Sequence, residues 1–240
     1  MKFKKITTVL IDLDGTLGYF TKGDLTEYLA KLYATKLAQE FNKPLNYVLG
    51  IIFKAVSEVK RNPPINRTIA YAMLEIIADG LNTTVNALNS VTDKFYAIEF
   101  DELKQFYKPV DGAKDIINYF FSKRFKVAIA TEPLVKRVGV VKRLAWIGLD
   151  SYPYCFIANA EECRAPKPHK TYFLDILEKC DSKPEESVMI GDKLENDIFP
   201  ARELGMMTIY INKMAETEDV ANISVNSLTE LLKIIEIIIK

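Results

Sequence analysis

Short runs of apolar residues, several of them β-branched, recur along the chain and are separated by segments of helical length. The clearest runs are residues 7–11, 127–130 and 188–190, and weaker ones lie at 155–157 and 207–211. Continuous apolar strands of this kind are typical of a parallel sheet that is covered on both faces. Helical patterns lie between them at residues 113–122, 134–146, 171–179 and 198–204. The alternation predicts an α/β fold with a doubly wound, Rossmann-like parallel sheet.

Residues 18–108 interrupt this alternation. They contain no convincing strand pattern, and helical patterns cover residues 25–41, 45–60, 68–81 and 84–106. Asp24, followed three residues later by Glu27, predicts a capping box at the first of these helices. A crossover between parallel strands normally needs one helix, so the segment predicts an inserted helical domain. We expect residues 1–17 and 109–240 to form the α/β core and residues 18–108 a helical cap, with glycine and proline at the crossing points acting as a hinge.

Composition narrows the class of partner. The 240 residues include 32 basic and 32 acidic ones, so the formal net charge is zero. This balance argues against nucleic-acid binding and against docking on a membrane surface. No stretch approaches the roughly 18 apolar residues of a membrane span. The apolar segment 228–239 is expected to pack on the sheet, with a dimer contact as the alternative. The partner is expected to be a small molecule, and the protein a monomer or homodimer.

Cysteine usage and the N-terminus predict a cellular location. Cys155, Cys163 and Cys180 are an odd number of cysteines and lack the close pairing of a zinc site. They predict free thiols in a reducing compartment. The apolar run after the basic N-terminus stops at Asp12, which is too early for a signal peptide. A cytoplasmic protein is expected.

Two carboxylates follow the first predicted strand, in the sequence Asp12-Leu13-Asp14-Gly15-Thr16. Residues two apart in an extended chain point to the same side, so the two carboxylates converge. They lie at the carboxyl end of a buried parallel strand, where open α/β sheets bind their ligands. Two carboxylates this close repel each other, so either the pKa of one of them is raised or a cation is required between them. A hairpin turn at Asp14-Gly15 is the simpler alternative, but no alternating strand follows it.

Three further polar residues, near the ends of other predicted strands and helices, have side chains suited to binding phosphate or a cation. Thr131 follows the second clear strand and offers a hydroxyl donor suited to a phosphate oxygen. Asp192 follows the third and can complete a site of oxygen ligands for a hard cation. Lys167, held between Pro166 and Pro168, supplies an ammonium group that offsets converging negative charge. Each residue alone also fits a structural role, as a strand cap, a turn or an exposed loop lysine.

Taken together, these segments resemble the haloacid dehalogenase-like (HAD) hydrolases that carry a helical cap of the first (C1) type. The matching segments are residues 12–17, Ala130-Thr131, Lys167-Pro168 and residues 191–197. They occur in the order and with the usual spacing of the family, and the resemblance covers nearly the whole chain. A lone aspartate pair is weak support, whereas four motifs in order are highly specific.

The resemblance implies roles for the residues that carry out the reaction. Asp12 would be the nucleophile that attacks phosphorus and forms an aspartyl-phosphate. Asp14 would be the general acid–base, which protonates the leaving oxygen and then activates water. Thr131 and Lys167 would bind the phosphoryl group that is transferred.

The resemblance also implies a Mg²⁺ cofactor. The ion would be held by the carboxylate of Asp12, the main-chain oxygen of Asp14 and Asp192. Asp197, with Asn196 beside it, would orient Lys167 or a metal-bound water. Phosphoryl transfer agrees with this arrangement, because it needs positioning and charge neutralisation more than elaborate covalent machinery.

Three residues depart from the family pattern. Glu132 stands where many relatives have asparagine and adds negative charge beside the expected phosphate. It either turns away or contacts a hydroxylated or cationic substrate, and turning away is favoured. His169 stands where the family often has an acidic residue, and Lys193 replaces a small polar residue.

The expected function is Mg²⁺-dependent hydrolysis of a small phosphate monoester, a phosphorylated metabolite, through an aspartyl-phosphate. A phosphomutase of the same fold and a non-catalytic binding protein are the alternatives. A dehalogenase or phosphonatase has no need for a second acid two residues after the nucleophile, so Asp14 argues against both. Four aromatic residues near the start of the helical segment are expected to be core rather than pocket lining: Tyr19, Phe20, Tyr28 and Tyr33.

Overall fold

The computed structural model describes residues 5–212 and 221–239. Over these residues the strands are β1 (Thr8–Ile11), β2 (Gly18–Phe20), β3 (Tyr107–Pro109), β4 (Lys126–Ile129), β5 (Phe156–Ile157), β6 (Ser187–Gly191), β7 (Met207–Ile211) and β8 (Ile223–Val225). Six of these described strands form a parallel sheet in the order β5-β4-β1-β6-β7-β8. The predicted α/β fold is confirmed. Strand β8 was not predicted, because residues 223–225 form no continuous apolar run.

Eight of the nine described α-helices fall close to predicted helical segments, whereas the ninth lies in the apolar segment 228–239, for which no helix was predicted. In the described residues the helices are α1 (Leu25–Glu40), α2 (Leu45–Arg61), α3 (Ile69–Leu81), α4 (Val85–Ala97), α5 (Ala113–Ser122), α6 (Arg137–Trp146), α7 (Lys170–Lys179), α8 (Phe199–Glu203) and α9 (Leu228–Ile238). The helix predicted over residues 84–106 is wrong in its second half, because the α-helix ends at Ala97 and a 3-10 helix covers Glu99–Phe106. The helix predicted from residue 198 is preceded by one turn of π-helix, Leu194–Ile198.

Both faces of the sheet are covered. In β1, Val9 and Ile11 belong to an apolar cluster shared with α5, α6 and α9, whereas Leu10 belongs to a second cluster shared with α7. Successive side chains of a strand point to opposite faces, so the two clusters lie on opposite sides of the sheet. Leu231 and Ile235 of α9 are fully buried in the first cluster, which confirms the expected packing of the apolar C-terminal segment.

Helices α1–α4 lie between β2 and β3 and share an apolar cluster of their own. The N-terminus of α1 is capped as predicted, because Asp24 Oδ1 accepts a hydrogen bond from the Glu27 N–H at 2.9 Å. The helical segment also packs against the sheet: Ile69 joins the cluster on one face and Phe95 the cluster on the other. The division at residues 18 and 108 remains a prediction.

The two crossings between the sheet and the helical segment are paired with each other. Strands β2 and β3 form an antiparallel ribbon in which Tyr19 lies opposite Lys108. The expectation that residues 18–108 contain no strand was therefore wrong. The strands are only three residues long and pair across more than 80 positions of sequence, so neither shows a local alternating pattern. The crossing is therefore a hydrogen-bonded, two-stranded ribbon, and its action as a hinge stays a prediction.

The expectation of three free thiols was also wrong. Cys155, which precedes β5, and Cys180, at the end of α7, form a disulfide with their Cα atoms 5.2 Å apart. They lie 25 positions apart in sequence, and only the packing of α7 beside the sheet edge brings them together. Cys163 is a free, buried thiol. Across the described parts of the chain, no helix combines the length and the apolar character that crossing a membrane requires.

Candidate active site

Asp12 lies at the carboxyl end of β1, in the centre of the sheet. Its N–H donates to the Ile190 carbonyl of β6 at 2.9 Å, which continues the parallel ladder and fixes the backbone. Its side chain is buried, and Oδ1 accepts a hydrogen bond from Lys167 Nζ at 2.7 Å. Oδ2 accepts a longer one from the Thr16 hydroxyl at 3.4 Å. Hydrogen bonds to both carboxylate oxygens therefore fix the orientation of Asp12, the predicted nucleophile.

Lys167 is buried and joins two aspartates. Besides Asp12, its Nζ donates to Asp197 Oδ1 at 2.5 Å. Burial alone would lower the pKa of Lys167, but the adjacent carboxylates of Asp12 and Asp197 raise it above its ordinary value. The amine is therefore held as an ammonium group, as its expected role in neutralising phosphate charge requires.

Asp12, Asp192 and Asp197 form a cluster of acids. Each offers a carboxylate oxygen, and the three oxygens lie within 4.8 Å of one another. Oδ1 of Asp192 is buried and has no hydrogen-bond partner in the described residues. Gly15 makes room for this carboxylate: its φ is +106°, and a Cβ at that position would collide with Asp192. Carboxylate oxygens at this spacing, one of them unpaired, fit a hard divalent cation.

The electrostatics of Asp12 agree with a cation at this place. Burial raises the pKa of Asp12, Lys167 opposes the rise, and Asp197 and Asp192 add to it. Burial also raises the pKa of Asp192, with Asp197 adding to the effect. Three acids packed together repel each other when ionised, and a bound cation relieves that repulsion.

Asp14 is directed to a different set of partners from Asp12. Its Oδ2 accepts a hydrogen bond from the guanidinium of Arg143, a buried residue of α6, and another from the Thr131 hydroxyl at 3.1 Å. Its Oδ1 accepts one from the Tyr107 hydroxyl at 2.7 Å. Tyr107 packs against Gly18, where a Cβ would collide with its ring. Although burial raises the pKa of Asp14, Arg143 and these hydrogen bonds outweigh it and lower the pKa.

Two of these partners were not predicted from the sequence. Arg143 lies within a helix and Tyr107 in a three-residue strand, and neither carries a local motif. The Thr131 hydroxyl donates to Asp14 in this structure, and its expected role in binding phosphate stays a prediction. The structure therefore brings together Asp12, Asp14, Thr131 and Lys167, but with Asp14 ion-paired to an arginine from the core.

Glu132 turns partly towards the helical segment. One carboxylate oxygen, Oε2, lies 3.2 Å from Nζ of Lys60 in α2, and the other, Oε1, is buried without a partner in the described residues. Lys60 was not singled out from the sequence, because an exposed lysine on a helix carries no local signal. His169 caps α7, with Nδ1 accepting from the Thr171 N–H at 3.2 Å, so its contact is structural.

A cavity of about 350 Å³ opens above these residues. Asp12, Asp14 and Lys167 line it, Lys193 and Asn196 contribute from the segment that follows β6, and further lining comes from the helical side. Tyr19 and Phe20, expected to be core, line this cavity. The fold therefore places the predicted reacting groups in a space bounded by both parts of the chain. The other residues that line it include Tyr19, Phe20, Asp24, Leu25, Thr26, Lys60, Glu132, Leu134 and Asp192.

Comparison with known sequences finds a hydrolase family and phosphatase relatives. A family profile described as haloacid dehalogenase-like hydrolase matches residues 6–205. A glyceraldehyde 3-phosphate phosphatase of Methanocaldococcus jannaschii is 36% identical over 198 residues, which cover 69% of this chain and 86% of that protein. A ribulose-1,5-bisphosphate 5-phosphatase of Halopiger xanaduensis is 26% identical over 219 residues, which cover 88% of this chain and 87% of the relative.

Solved structures show the same fold. A HAD phosphatase from Thermococcus onnurineus superposes with a TM-score of 0.60 at 19% identity, covering 96% of this chain and 98% of the other. A 2-haloacid dehalogenase from Pseudomonas syringae superposes with a TM-score of 0.67, also at 19% identity, with the same coverage. At these identities the likeness concerns the fold and does not distinguish between the two chemistries.

Proposed function

Because the chain belongs to the haloacid dehalogenase-like hydrolases, we propose that it is a Mg²⁺-dependent phosphatase acting on a small phosphate monoester, with Asp12 as nucleophile. One observation carries the proposal. Asp12 is buried at the end of the central strand, is held by Lys167, and belongs to an acidic cluster in which one carboxylate oxygen of Asp192 has no partner among the described residues. The phosphatase names of the two sequence relatives support the same chemistry.

In the proposed first step, a carboxylate oxygen of Asp12 attacks phosphorus and the bond to the leaving oxygen breaks. Asp14 gives its proton to that oxygen, so the alcohol departs neutral. The ammonium group of Lys167 offsets the negative charge of the phosphoryl oxygens, and Asp197 fixes its position.

In the second step, water attacks phosphorus and gives a proton to Asp14. The bond between phosphorus and Asp12 then breaks, which releases inorganic phosphate and restores the carboxylate. The contacts of Asp14 with Arg143, Tyr107 and Thr131 lower its pKa and suit the form that accepts this proton. To act as the acid, Asp14 has to be protonated in the first step. Because Arg143 stabilises the ionised carboxylate, the bound substrate has to favour the protonated form.

The chain has a suitable set of ligands for Mg²⁺. We assign the ion to the carboxylate of Asp12, the main-chain oxygen of Asp14 and Asp192. Asp197 is the weaker candidate, because Oδ1 already accepts from Lys167 and Oδ2 from the Lys193 N–H at 3.1 Å. When bound, the cation neutralises negative charge on the phosphoryl group and on the attacking carboxylate.

The test is phosphate release from p-nitrophenyl phosphate. Activity should require Mg²⁺ and be lost with EDTA, and Asp12→Asn should reduce kcat on the order of 10³-fold or more. Asp111→Asn is the matched control, because Asp111 is exposed and lies outside the cavity, and it should keep wild-type activity. Full activity in Asp12→Asn would refute the assignment of the nucleophile.

A further inference from the structure

A second pocket lies beside the catalytic cavity, among the helices of the inserted segment. Its volume is about 150 Å³. Apolar side chains of α1 and α3 supply much of its wall, among them Leu29, Ala30, Leu74 and Ile77, and Phe95 of α4 adds an aromatic surface. Leu29 and Leu74 are only half-buried although they lie within the helical segment, so the packing of the helices leaves this space open.

The pocket shares part of its wall with the catalytic cavity. Asp14, Leu25, Thr26, Glu132 and Leu134 line both spaces. Asp14 is the residue expected to protonate the leaving oxygen, so the shared wall lies where the alcohol part of the substrate emerges. A group attached to that oxygen can therefore extend from the catalytic cavity into the pocket.

Many polar groups of the pocket wall are already paired within the chain. The hydroxyls of Tyr33 and Thr92 hydrogen-bond to each other at 2.6 Å. Lys136 Nζ donates to Asp93 at 2.6 Å and to Asn89 at 2.8 Å.

Among the described residues, the buried side-chain atoms of this wall that lack a partner are Oε1 of Glu132 and Nε and Nη2 of Arg143, the arginine that holds Asp14. A polyhydroxylated group that extends past them among α1–α4 would leave buried hydroxyls without partners, which is unfavourable. An apolar group gains from burial, and an apolar cavity of about 150 Å³ is large enough to hold benzene.

We propose that this pocket receives an apolar part of the leaving alcohol, so that the favoured substrates are phosphate monoesters carrying an alkyl or aryl group of about six carbons. The assignment rests on the proposed phosphatase function and adds the chemical class of the alcohol. Leu29, Leu74 and Ile77 then determine specificity through the volume and the apolar surface that they offer.

The experiment compares ethyl, n-butyl and n-hexyl phosphate with the Mg²⁺-loaded enzyme. The three leaving alcohols have nearly the same acidity, so kcat/KM reports mainly the binding of the chain. Each buried methylene adds about fourfold, and we expect hexyl phosphate to exceed ethyl phosphate by about 10- to 200-fold. Glycerol 3-phosphate, which carries hydroxyls instead, should fall below butyl phosphate.

Two variants locate the effect in the pocket. Ala30→Leu fills the space and should lower the hexyl-to-ethyl ratio of kcat/KM to about one-tenth of its wild-type value or less, whereas Ala87→Leu, at an exposed site on α4, should keep the wild-type ratio. Leu74→Ala enlarges the pocket and should move the preference from hexyl towards octyl phosphate. This second variant keeps the assignment testable if Ala30→Leu fails to fold.

The outcomes separate the two proposals. Hydrolysis with a flat or falling series from ethyl to hexyl, or an unchanged ratio in folded Ala30→Leu, overturns the pocket assignment and leaves the phosphatase standing. The absence of Mg²⁺-dependent phosphate release from every ester, p-nitrophenyl phosphate included, overturns the phosphatase and the pocket assignment with it.

Discussion

The ion pair between Arg143 and Asp14 allows a quantitative test of the structure. Arg143→Met keeps the aliphatic stem of a buried side chain and removes its charge. Removing one partner of a buried ion pair typically costs about 3–5 kcal/mol, because the other charge is left uncompensated. The expected loss in the free energy of unfolding depends on how well the remaining surroundings of Asp14 stabilise its charge.

Two features reduce the cost. The side chain of Asp14 is 29% exposed, and it keeps the hydrogen bonds from Tyr107 and Thr131. In addition, Nε and Nη2 of Arg143 are buried without hydrogen-bond partners in the described residues, so deleting the guanidinium removes an existing penalty. We therefore expect the free energy of unfolding to fall by about 2 kcal/mol at pH 7, below the usual range for a buried pair.

The assay is urea unfolding followed by circular dichroism, with a chelator present. Arg137→Met is the matched control, because Arg137 lies on the same helix, half-exposed, with Glu162 at 3.8 Å, and it should change stability by less than about 0.5 kcal/mol. The double variant Asp14→Asn/Arg143→Met should be more stable than Arg143→Met, because no charge is then left unpaired.

The pH dependence gives an independent check. The pKa of folded Asp14 is lowered, so its carboxylate contributes stability above the unfolded pKa of about 3.9 and loses it as pH falls through the folded value. The difference between wild type and Arg143→Met should narrow as pH falls below about 4. A variant as stable as wild type at pH 7, or a difference that grows on acidification, would refute the reasoning.

Three further predictions concern the site and the disulfide. Asp14→Asn should lower kcat for p-nitrophenyl phosphate by about 10²–10⁴ while the Kd for Mg²⁺ stays the same, since the main-chain oxygen remains; a Kd raised as far as in Asp192→Asn contradicts this. Gly15→Ala should raise the Kd for Mg²⁺ in calorimetry, because a Cβ would collide with Asp192, and an unchanged Kd would show that the contact is unimportant. Cys155→Ser should lower the free energy of unfolding by about 3 kcal/mol, as expected for the loop closed with Cys180; three reactive thiols in unfolded wild type without reductant would disprove the disulfide.

Much of the core follows from local patterns in the sequence. Apolar runs predicted five strands of the sheet, namely β1, β4, β5, β6 and β7. The polar residues that follow these runs predicted that Asp12 and Asp192 would meet at one edge of the sheet. This works because burial on both faces requires a continuous apolar strand, and parallel strands place their carboxyl ends at one edge. The helices of the inserted segment were predicted for the same reason, from their apolar periodicity.

Other features depend on residues that are distant in sequence. Tyr107 and Arg143 contact Asp14 across 93 and 129 positions, and the ribbon, the disulfide and the apolar pocket likewise join separate segments. A local pattern records whether a residue is buried and which way the backbone runs, but not which distant side chain it meets. The sequence by itself determined five of the six described strands of the sheet and the acids at its edge, whereas the packing of helices on that sheet decided the partners of Asp14 and the space left for a substrate.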